Sequence, residues 1–261
     1  MKIPVALSIA GSDPSGGAGI QADLKTFHQR GVYGMAAITL LTVQNTVGVS
    51  AVDVLAPEVV EAQVRAVLED IPPVAAKTGA LGDEKIVGLL ARLAEEFNFQ
   101  LVVDPVMISK HGHALLTEPA RRAMAELLLP RAYLVTPNLH EAAELAGISV
   151  CDIESMERAA EKIVSYGARG ALIKGGHLEG DAVDLLRFGG ETVLLPSPRV
   201  RTRHTHGTGC VYSACITAEL AKGNLIKDAV AAAKEFIAQA IATAPGLGQG
   251  SGPVNHFAGS L

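Results

Sequence analysis

The chain lacks a disulfide framework, a basic block and any repetitive tract. Its three cysteines, Cys151, Cys210 and Cys215, are too few and odd in number for a fold that is cross-linked by disulfides. We therefore expect a reducing compartment and a cytoplasmic protein. A formal net charge of -5 without a basic cluster argues against nucleic acid as the main partner. With 49% hydrophobic residues, the chain can bury a substantial core.

The sequence also lacks a clear membrane segment. Its first residues superficially resemble a signal peptide, but the apolar run breaks at residues 13 and 14 and a glycine cluster. Residues 31–52 carry no charge and are long enough to span a bilayer. Gln44, Asn45, several glycines and a high β-branched content instead favour two buried strands joined by a turn, so we expect no membrane partner.

Short apolar runs alternate with longer amphipathic runs along the whole chain. Continuous apolar strands are buried on both faces, which is typical of a parallel sheet covered by helices. No Pro/Gly-rich linker divides the sequence, so we predict one doubly wound α/β domain over residues 1–261. The predicted strands are 3–10, 35–43, 49–55, 73–79, 99–104, 132–136, 170–175 and 182–188. The predicted helices are 18–30, 57–70, 83–96, 118–128, 139–146, 155–167, 208–222 and 225–243.

The first predicted strand runs into a glycine-rich loop, residues 11–23. Ligands of doubly wound sheets bind beyond the carboxyl ends of the strands, which makes this loop a candidate site. Residues 17–22, GAGIQA, match the loose dinucleotide-binding pattern, but no acid ends the second strand to hold a ribose. A P-loop lysine is absent as well. A turn between strand and helix explains the glycines equally well.

Polar side chains also follow other predicted strands. Gln44 and Asn45 end the second strand, where a carboxamide that donates and accepts side by side matches the edge of a 4-aminopyrimidine. A pair that stabilises a turn is the simpler alternative. Asp104 ends the fifth strand and could hold Mg²⁺ through water or a phosphate oxygen, or be an ordinary turn residue before Pro105.

Two further strand ends add an amide, an acid and a lysine. Asn138 and Glu141 follow the sixth strand with the spacing of a capping box in which Asn replaces Ser or Thr. Lys174 follows the seventh strand beside two glycines, from where it can reach a phosphate as a point charge. Together these strand ends predict a site for a magnesium-bound polyphosphate.

The segment HTHGTGC, residues 204–210, allows more than one interpretation. His204, His206 and Cys210 would give zinc only three ligands, one short of a structural tetrahedron, and no Cys-x-x-Cys pair is present. A disulfide between Cys210 and Cys215 has poor geometry, because the two lie about one and a half helical turns apart on different faces.

A phosphate site is the better supported interpretation of the same segment. Gly207, Thr208 and Gly209 lead directly into a predicted helix, so their backbone N–H groups point outward at the positive end of its dipole. Such an anion hole stabilises a transferring phosphoryl group. Cys210 would begin this helix with a lowered thiol pKa and act as general base, although a small buried hydrophobe is the usual fate of cysteine.

These motifs, taken in order from residue 8 to about 220, resemble the hydroxymethylpyrimidine/phosphomethylpyrimidine kinases of thiamine biosynthesis, in the ribokinase-like superfamily. The segments that carry the resemblance are AGSDPSGGAGIQADLKTF, TVQNTVGV, KTGALG, DPVM, TPNLHEA, KGGH and HGTGC. The resemblance implies a three-layer sandwich, with a mostly parallel central sheet and helices on both faces. It also implies ATP-dependent phosphorylation of 4-amino-5-hydroxymethyl-2-methylpyrimidine and then of its monophosphate, with Mg²⁺, in a homodimer.

The resemblance also implies roles for individual residues. The pyrimidine pocket would contain Gln44, Asp23 and Gly11. The anion hole would consist of Gly207, Thr208, Gly209 and Cys210, with Cys210 as the residue characteristic of this branch. The nucleotide phosphates would meet Lys174, Thr208 and Asn138, and the magnesium-phosphate region would contain Asp104 and Glu141.

Two departures from the family pattern leave substrate preference open. Ala80 stands where the family commonly has Met, and Val211-Tyr212 replaces the usual Thr-Phe. The nearest alternative is therefore a pyridoxal-type kinase on the same fold. A nicotinamide dehydrogenase that uses GAGIQA, and a zinc- or ligand-binding regulatory domain, are the alternatives from other classes.

Overall fold

The computed structural model describes residues 3–259 except 109–111, 113, 114, 177 and 179. His177, which ends the KGGH motif, therefore lies outside the described residues. The strands are β1 (Val5–Ser12), β2 (Tyr33–Gln44), β3 (Val49–Val54), β4 (Ala75–Thr78), β5 (Gln100–Val103), β6 (Leu134–Val135), β7 (Gly170–Ile173), β8 (Asp184–Phe188) and β9 (Glu191–Leu195). The helices are α1 (Gly19–Gln29), α2 (Pro57–Asp70), α3 (Glu84–Leu93), α4 (Glu118–Ala123), α5 (Leu139–Ala146), α6 (Ile153–Ser165), α7 (Thr208–Ala221) and α8 (Ile226–Ala242).

These strands form one nine-stranded sheet in the order β3-β2-β1-β4-β5-β6-β7-β8-β9. The pairs from β2 to β7 are parallel, whereas β3, β8 and β9 pair antiparallel at the two edges. The chain passes from β1 to β2 on one side and later places β4 on the other side of β1. The loops that follow β1 and β4 therefore diverge and open a crevice at the carboxyl end of the sheet.

Helices cover both faces of the sheet and bury two hydrophobic clusters. Side chains from α2 to α6 pack on one face with Leu7 and Ile9 of β1. Side chains from α1, α7 and α8 pack on the other face with Ala6. Helix α7 is buried on every side from Val211 to Ala221, as expected for a helix that is apolar all round. The predicted mostly parallel three-layer architecture is confirmed.

Most element boundaries lie within a few residues of the prediction, and two elements differ in kind. Strand β9 was not predicted, although it closes a hairpin with β8 through the turn at Gly189 and Gly190. The predicted helix 118–128 is α-helical only to Ala123 and continues as a π-helical turn, Met124–Leu128.

The uncharged stretch 31–52 contains β2 and the start of β3, which form an antiparallel hairpin at the sheet edge. The expectation that both strands are buried is wrong, because Leu41, Val43 and Val47 are exposed at this end of the hairpin. Among the described residues, no helix is both long enough and apolar enough to cross a membrane.

Candidate active site

A cavity of about 1010 Å³ opens at the carboxyl end of the sheet, where the sequence predicted a ligand site. Most of the predicted site residues lie on its wall. They are Gly11, Gln44, Asp104, Asn138, Glu141, Lys174, Gly207, Thr208, Gly209 and Cys210. Residues more than 160 positions apart in the sequence thus meet at one place.

The loop after β1 is held in shape by a single buried carboxylate. Asp13 accepts hydrogen bonds from the backbone N–H groups of Ser15, Gly17 and Ala18, at 2.8, 3.1 and 2.8 Å. Its Oδ2 also lies 2.8 Å from Nε2 of His206, in the segment that leads into α7. Asp13 therefore ties the loop that opens α1 to the loop that opens α7.

The amino end of α7 lies where the sequence predicts an anion hole. Its N-cap, Gly207, has a left-handed φ of 78°, and no side chain caps the helix. The first N–H of the intrahelical series is that of Val211, which bonds to Gly207 O. The amides of Gly209 and Cys210 lie ahead of it, in the turn whose N–H groups have no intrahelical partner. Thr208 Oγ1 donates to Thr205 O at 2.8 Å and keeps its lone pairs as acceptors.

A lysine and an aspartate meet beside this helix end. Lys174 Nζ lies 3.0 Å from Asp104 Oδ1, and the aspartate also accepts from Ser213 Oγ at 3.1 Å and Thr136 Oγ1 at 3.2 Å. Burial raises the pKa of Asp104, but the charges of Lys174 and Lys77 and the hydrogen bonds from Lys174 and Ser213 outweigh burial and leave the pKa lowered. Asp104 is therefore an ionised carboxylate at neutral pH.

Asn138 and Glu141 form the predicted capping box at the start of α5. Glu141 N donates to Asn138 Oδ1 at 3.0 Å, and Asn138 N donates to Glu141 Oε2 at 2.8 Å. Burial raises the pKa of Glu141 to about 7, with Lys174 opposing and Asp104 reinforcing the shift. The carboxylate can hold a cation only in its ionised form, so its binding capacity changes near neutral pH.

Replacing Glu141 by glutamine is expected to flatten the pH dependence of stability. The folded carboxyl, with a pKa of about 7 against 4.5 for an unperturbed glutamate, binds its proton more tightly than the unfolded chain does. The contribution of this carboxyl to the stability of the folded protein is complete below pH 4.5 and is lost as pH rises through 7. In thermal unfolding experiments in EDTA, the Tm of the wild type should fall more between pH 4.5 and 8 than the Tm of Glu141→Gln.

The exposed Glu144, one turn further along α5, provides the control. Glu144→Gln should keep the wild-type pH dependence. If Glu141→Gln retained it too, another group would be responsible for the titration.

One part of the cavity wall contains Gly11, Gln44 and Ala80. The carboxamide of Gln44 makes no hydrogen bond to another described residue, which leaves both its donor and its acceptor for a ligand. Asp23 is a correction to the prediction. Its side chain is fully buried beneath the cavity wall, where it pairs with Lys77 and accepts from Ser8 Oγ. It lies on the face of α1 that packs against the sheet and is not part of the cavity lining.

Cys210 lines the cavity, but the prediction of a lowered thiol pKa is wrong. Burial raises the pKa of Cys210 to about 12, and the nearby charge of Lys77 offsets this only in part. The thiol is therefore protonated at neutral pH. Cys151, Cys210 and Cys215 are all free, as the sequence predicted.

A zinc site at residues 204–210 is not supported. His206 is bound to Asp13, and His204 Nδ1 accepts from Gly252 N at 3.2 Å. Across the described part of the chain, no group of three His, Cys, Asp or Glu residues is placed to hold a metal ion.

Sequence analysis missed the structural roles of Asp13, His206 and Lys77. Asp13 and His206 are separated by 193 positions, and only the folded chain shows that they interact. Lys77 is the one charged residue of the fully buried strand β4, and this was the available signal.

Comparison with known proteins identifies close relatives. A family model described as phosphomethylpyrimidine kinase matches residues 13–255. Hydroxymethylpyrimidine/phosphomethylpyrimidine kinase of Bacillus subtilis (strain 168) is 45% identical, over 99% of this chain and 96% of that protein. An ADP complex of Bacillus subtilis pyridoxal kinase has a TM-score of 0.93 at 41% identity, covering 100% of both chains. Phosphomethylpyrimidine kinase of Clostridium difficile 630 has a TM-score of 0.81 at 44% identity, covering 92% of this chain and 100% of that one.

Proposed function

Because the chain belongs to the phosphomethylpyrimidine kinase family, we propose that it phosphorylates 4-amino-5-hydroxymethyl-2-methylpyrimidine and then its monophosphate, with ATP as donor. The observation that supports this proposal is the set of groups that line one cavity. A free carboxamide, Gln44, lies at one end, and the open amino end of α7 lies beside Lys174 and Asp104. An acceptor and a polyphosphate can therefore meet at the anion hole.

In the first step, a lone pair of the hydroxymethyl oxygen attacks the γ-phosphorus of ATP. The new P–O bond forms while the bond to the β-phosphate oxygen breaks, and that electron pair leaves with ADP. The amides of Gly209 and Cys210 stabilise the charge on the transferring group. The hydroxyl proton passes to the small thiolate fraction of Cys210.

The nucleotide would occupy the other end of the cavity. Lys174 supplies a positive charge to the phosphates, and its ammonium is fixed by Asp104. An apolar wall that includes Ala182, Pro198 and Ile237 is suited to a purine ring.

Asp104 and Glu141 offer the hard oxygen ligands that Mg²⁺ prefers, and both line the cavity next to Lys174. They would hold the ion together with water and nucleotide phosphates. When bound, the ion would neutralise negative charge on the nucleotide phosphates.

A pyridoxal-type kinase is the second candidate, and two observations favour it. Ala80 gives the acceptor end of the cavity a smaller side chain than the Met that the family commonly has. The solved structure of a pyridoxal kinase is also 41% identical to this chain. Steady-state assays with Mg-ATP should compare the pyrimidine alcohol, its monophosphate and pyridoxal. A higher kcat/KM for pyridoxal than for either pyrimidine would overturn the first proposal.

Gln44→Leu is expected to raise KM for the pyrimidine alcohol by about tenfold or more, because both polar contacts to the ring edge are lost. Gln44→Glu keeps the size but loses the donor, and should give a smaller increase. In both variants kcat should stay within about threefold of the wild type, since the contact is the same in ground and transition states. A fall in kcat with unchanged KM would contradict edge recognition.

We also propose that the protein is a cytoplasmic homodimer, as the family resemblance implies. The exposed apolar side chains of the β2–β3 hairpin, Leu41, Val43 and Val47, support an interface there. One chain has a mass of 27.0 kDa, and light scattering after gel filtration should give twice this value. A monomer at micromolar concentration would contradict the dimer.

A further inference from the structure

The chain that follows α8 returns to the carboxyl end of the sheet. Residues 247–254, LGQGSGPV, are called the C-terminal segment below. The structure describes the whole of this segment, and none of its residues lines the cavity. Its last residue, Val254, is buried, and Asn255 N donates to Ala240 O of α8 at 2.9 Å. The segment is therefore anchored to α8 and can support other loops from there.

The C-terminal segment contacts the turn that follows Gln44. Gly250 N donates to Thr46 Oγ1 at 3.3 Å. A Cβ on Gly250 would overlap the carbonyl oxygen of Thr46, and a Cβ on Gly248 would overlap the Thr46 side chain. Gly250 does not have a left-handed φ, so the close approach alone requires glycine at this position.

The same segment also contacts the loop that opens α7. Gly252 N donates to His204 Nδ1 at 3.2 Å, and His206 N donates to Gly252 O at 3.1 Å. Val254 N donates in turn to His206 O at 3.3 Å. The next residue along the loop is Gly207, the N-cap of α7. One short segment thus joins the turn after Gln44 to the loop that leads into the anion hole.

The turn after Gln44 is held together by its own hydrogen bonds. Asn45 N donates to Gly48 O at 3.0 Å, and Asn45 Oδ1 accepts from Val47 N at 2.9 Å. Gln44 is the last residue of β2, directly before this turn. Its carboxamide makes no hydrogen bond to another described residue, so the backbone of the strand end and the turn sets its position. A displacement of Thr46 would therefore displace Gln44 as well.

We propose that the C-terminal segment holds Gln44 and the amino end of α7 in fixed relative positions, with Gly250 and Gly252 as positioning residues. Phosphoryl transfer needs the acceptor oxygen about 3 to 3.5 Å from phosphorus, and a misplacement of about 1 Å can cost about 100-fold in rate. The inference rests on the proposed function, in which Gln44 binds the acceptor and α7 binds the transferring group.

The proposed role concerns the acceptor and not the nucleotide. Lys174 and Asp104, which would bind the nucleotide phosphates and the metal ion, follow β7 and β5. Strands β1 and β4 separate β5 and β7 from β2 in the sheet. A displaced turn after β2 should therefore weaken use of the acceptor and leave ATP binding unchanged.

The first test is Gly250→Ala, in which the added methyl displaces the turn. We expect kcat/KM for both pyrimidines to fall about tenfold or more, while KM for ATP stays within about threefold of the wild type. The variant should fold, because Gly250 belongs to no helix, strand or hydrophobic cluster. An unchanged kcat/KM for the acceptors, or an equal rise in KM for ATP, would contradict the positioning role.

A second test needs no acceptor and uses Gly252→Ala. A Cβ on Gly252 would overlap Leu247 O and lie 2.5 Å from His204 Nδ1, so the added methyl acts on the side of α7. If the segment links the two loops, hydrogen exchange measured by mass spectrometry should also become about tenfold faster in the turn 45–48.

Faster exchange confined to residues 203–207 would mean two independent contacts and would overturn the inference. Because the exchange measurement uses the protein without ligand, its result would stand even if neither pyrimidine were a substrate. A failure of the proposed function and a failure of the positioning role can therefore be told apart.

Gly48→Ala is the matched control. Gly48 lies in the same turn, does not have a left-handed φ, and a Cβ there meets no atom within 4 Å. This variant should keep the wild-type kcat/KM for both pyrimidines and the wild-type exchange of the turn. A loss equal to that of Gly250→Ala would show that any methyl added at the turn has the same effect, and the contact with the C-terminal segment would then have no special role.

Discussion

Cys210→Ala is expected to lower kcat for the pyrimidine alcohol by about 10²-fold or more, and kcat for the monophosphate by less than about fivefold. The side chain lies in the first turn of α7 and on the cavity wall, where it can receive the proton of an attacking hydroxyl. The monophosphate brings an ionised oxygen and needs no base. Because the backbone amides remain, the anion hole is preserved in the variant.

The raised thiol pKa gives this prediction a pH signature. With a pKa of about 12, the thiolate is a minor species throughout the working range. The wild-type kcat for the alcohol should therefore increase about tenfold per pH unit between pH 6 and 9, without a plateau. In Cys210→Ala this slope should disappear.

Cys215→Ala, on the same helix but in the hydrophobic core, is the control and should keep both activities. Equal losses in the two steps of Cys210→Ala would assign the thiol to packing of the anion hole. A kcat for the alcohol within a factor of about two of the wild type would leave catalysis to the helix and the metal ion.

The sequence predicted the layers of the fold because burial on both faces leaves a strong pattern. Helix α2 was predicted with its observed bounds, and α5 was predicted with its capping box. Strand β9 was not predicted because it is a short edge strand with mostly exposed side chains. The Gly189-Gly190 pair was the hairpin signal that could have revealed it.

The site was predictable where a residue's chemistry follows from its place at a strand end. Asp104 and Lys174 met as expected, because parallel strands deliver their carboxyl ends to one edge. The thiol pKa of Cys210 was not predictable, since burial opposes the helix dipole and only the fold gives the extent of burial. Asp23 was misplaced because the motif does not specify which face of α1 packs on the sheet.

The loop before α7 packs closely against the loop after β1, and this contact makes a substitution at Gly207 costly. Gly207 has φ of 78°, and a Cβ at this position would overlap the carbonyl oxygen of Gly17. Only glycine combines this backbone conformation with the close approach. The neighbouring Asp13–His206 contact fixes the same two loops against each other.

Gly207→Ala should therefore lower kcat/KM by about 10²- to 10³-fold for both acceptors, the loss expected when an anion-hole donor is misplaced. The left-handed conformation costs a non-glycine residue about 1 to 2 kcal/mol, and relief of the overlap must in addition displace a loop. Thermal unfolding measures the loss of stability, and steady-state assays with both acceptors measure the fall in kcat/KM. Loss in both steps would distinguish this variant from Cys210→Ala.

Gly223→Ala separates backbone strain from the overlap. Gly223 follows the other end of α7 with φ of 87°, and a Cβ there meets no atom within 4 Å. This control should lose a similar 1 to 2 kcal/mol from strain, about the cost of a left-handed residue, and keep full activity. If Gly207→Ala matched Gly223→Ala in both stability and kcat/KM, the loop contact would have no part in shaping the anion hole. We expect instead that Gly207→Ala remains folded at low temperature with its kcat/KM lowered for both acceptors, because the displaced loop shifts the first turn of α7.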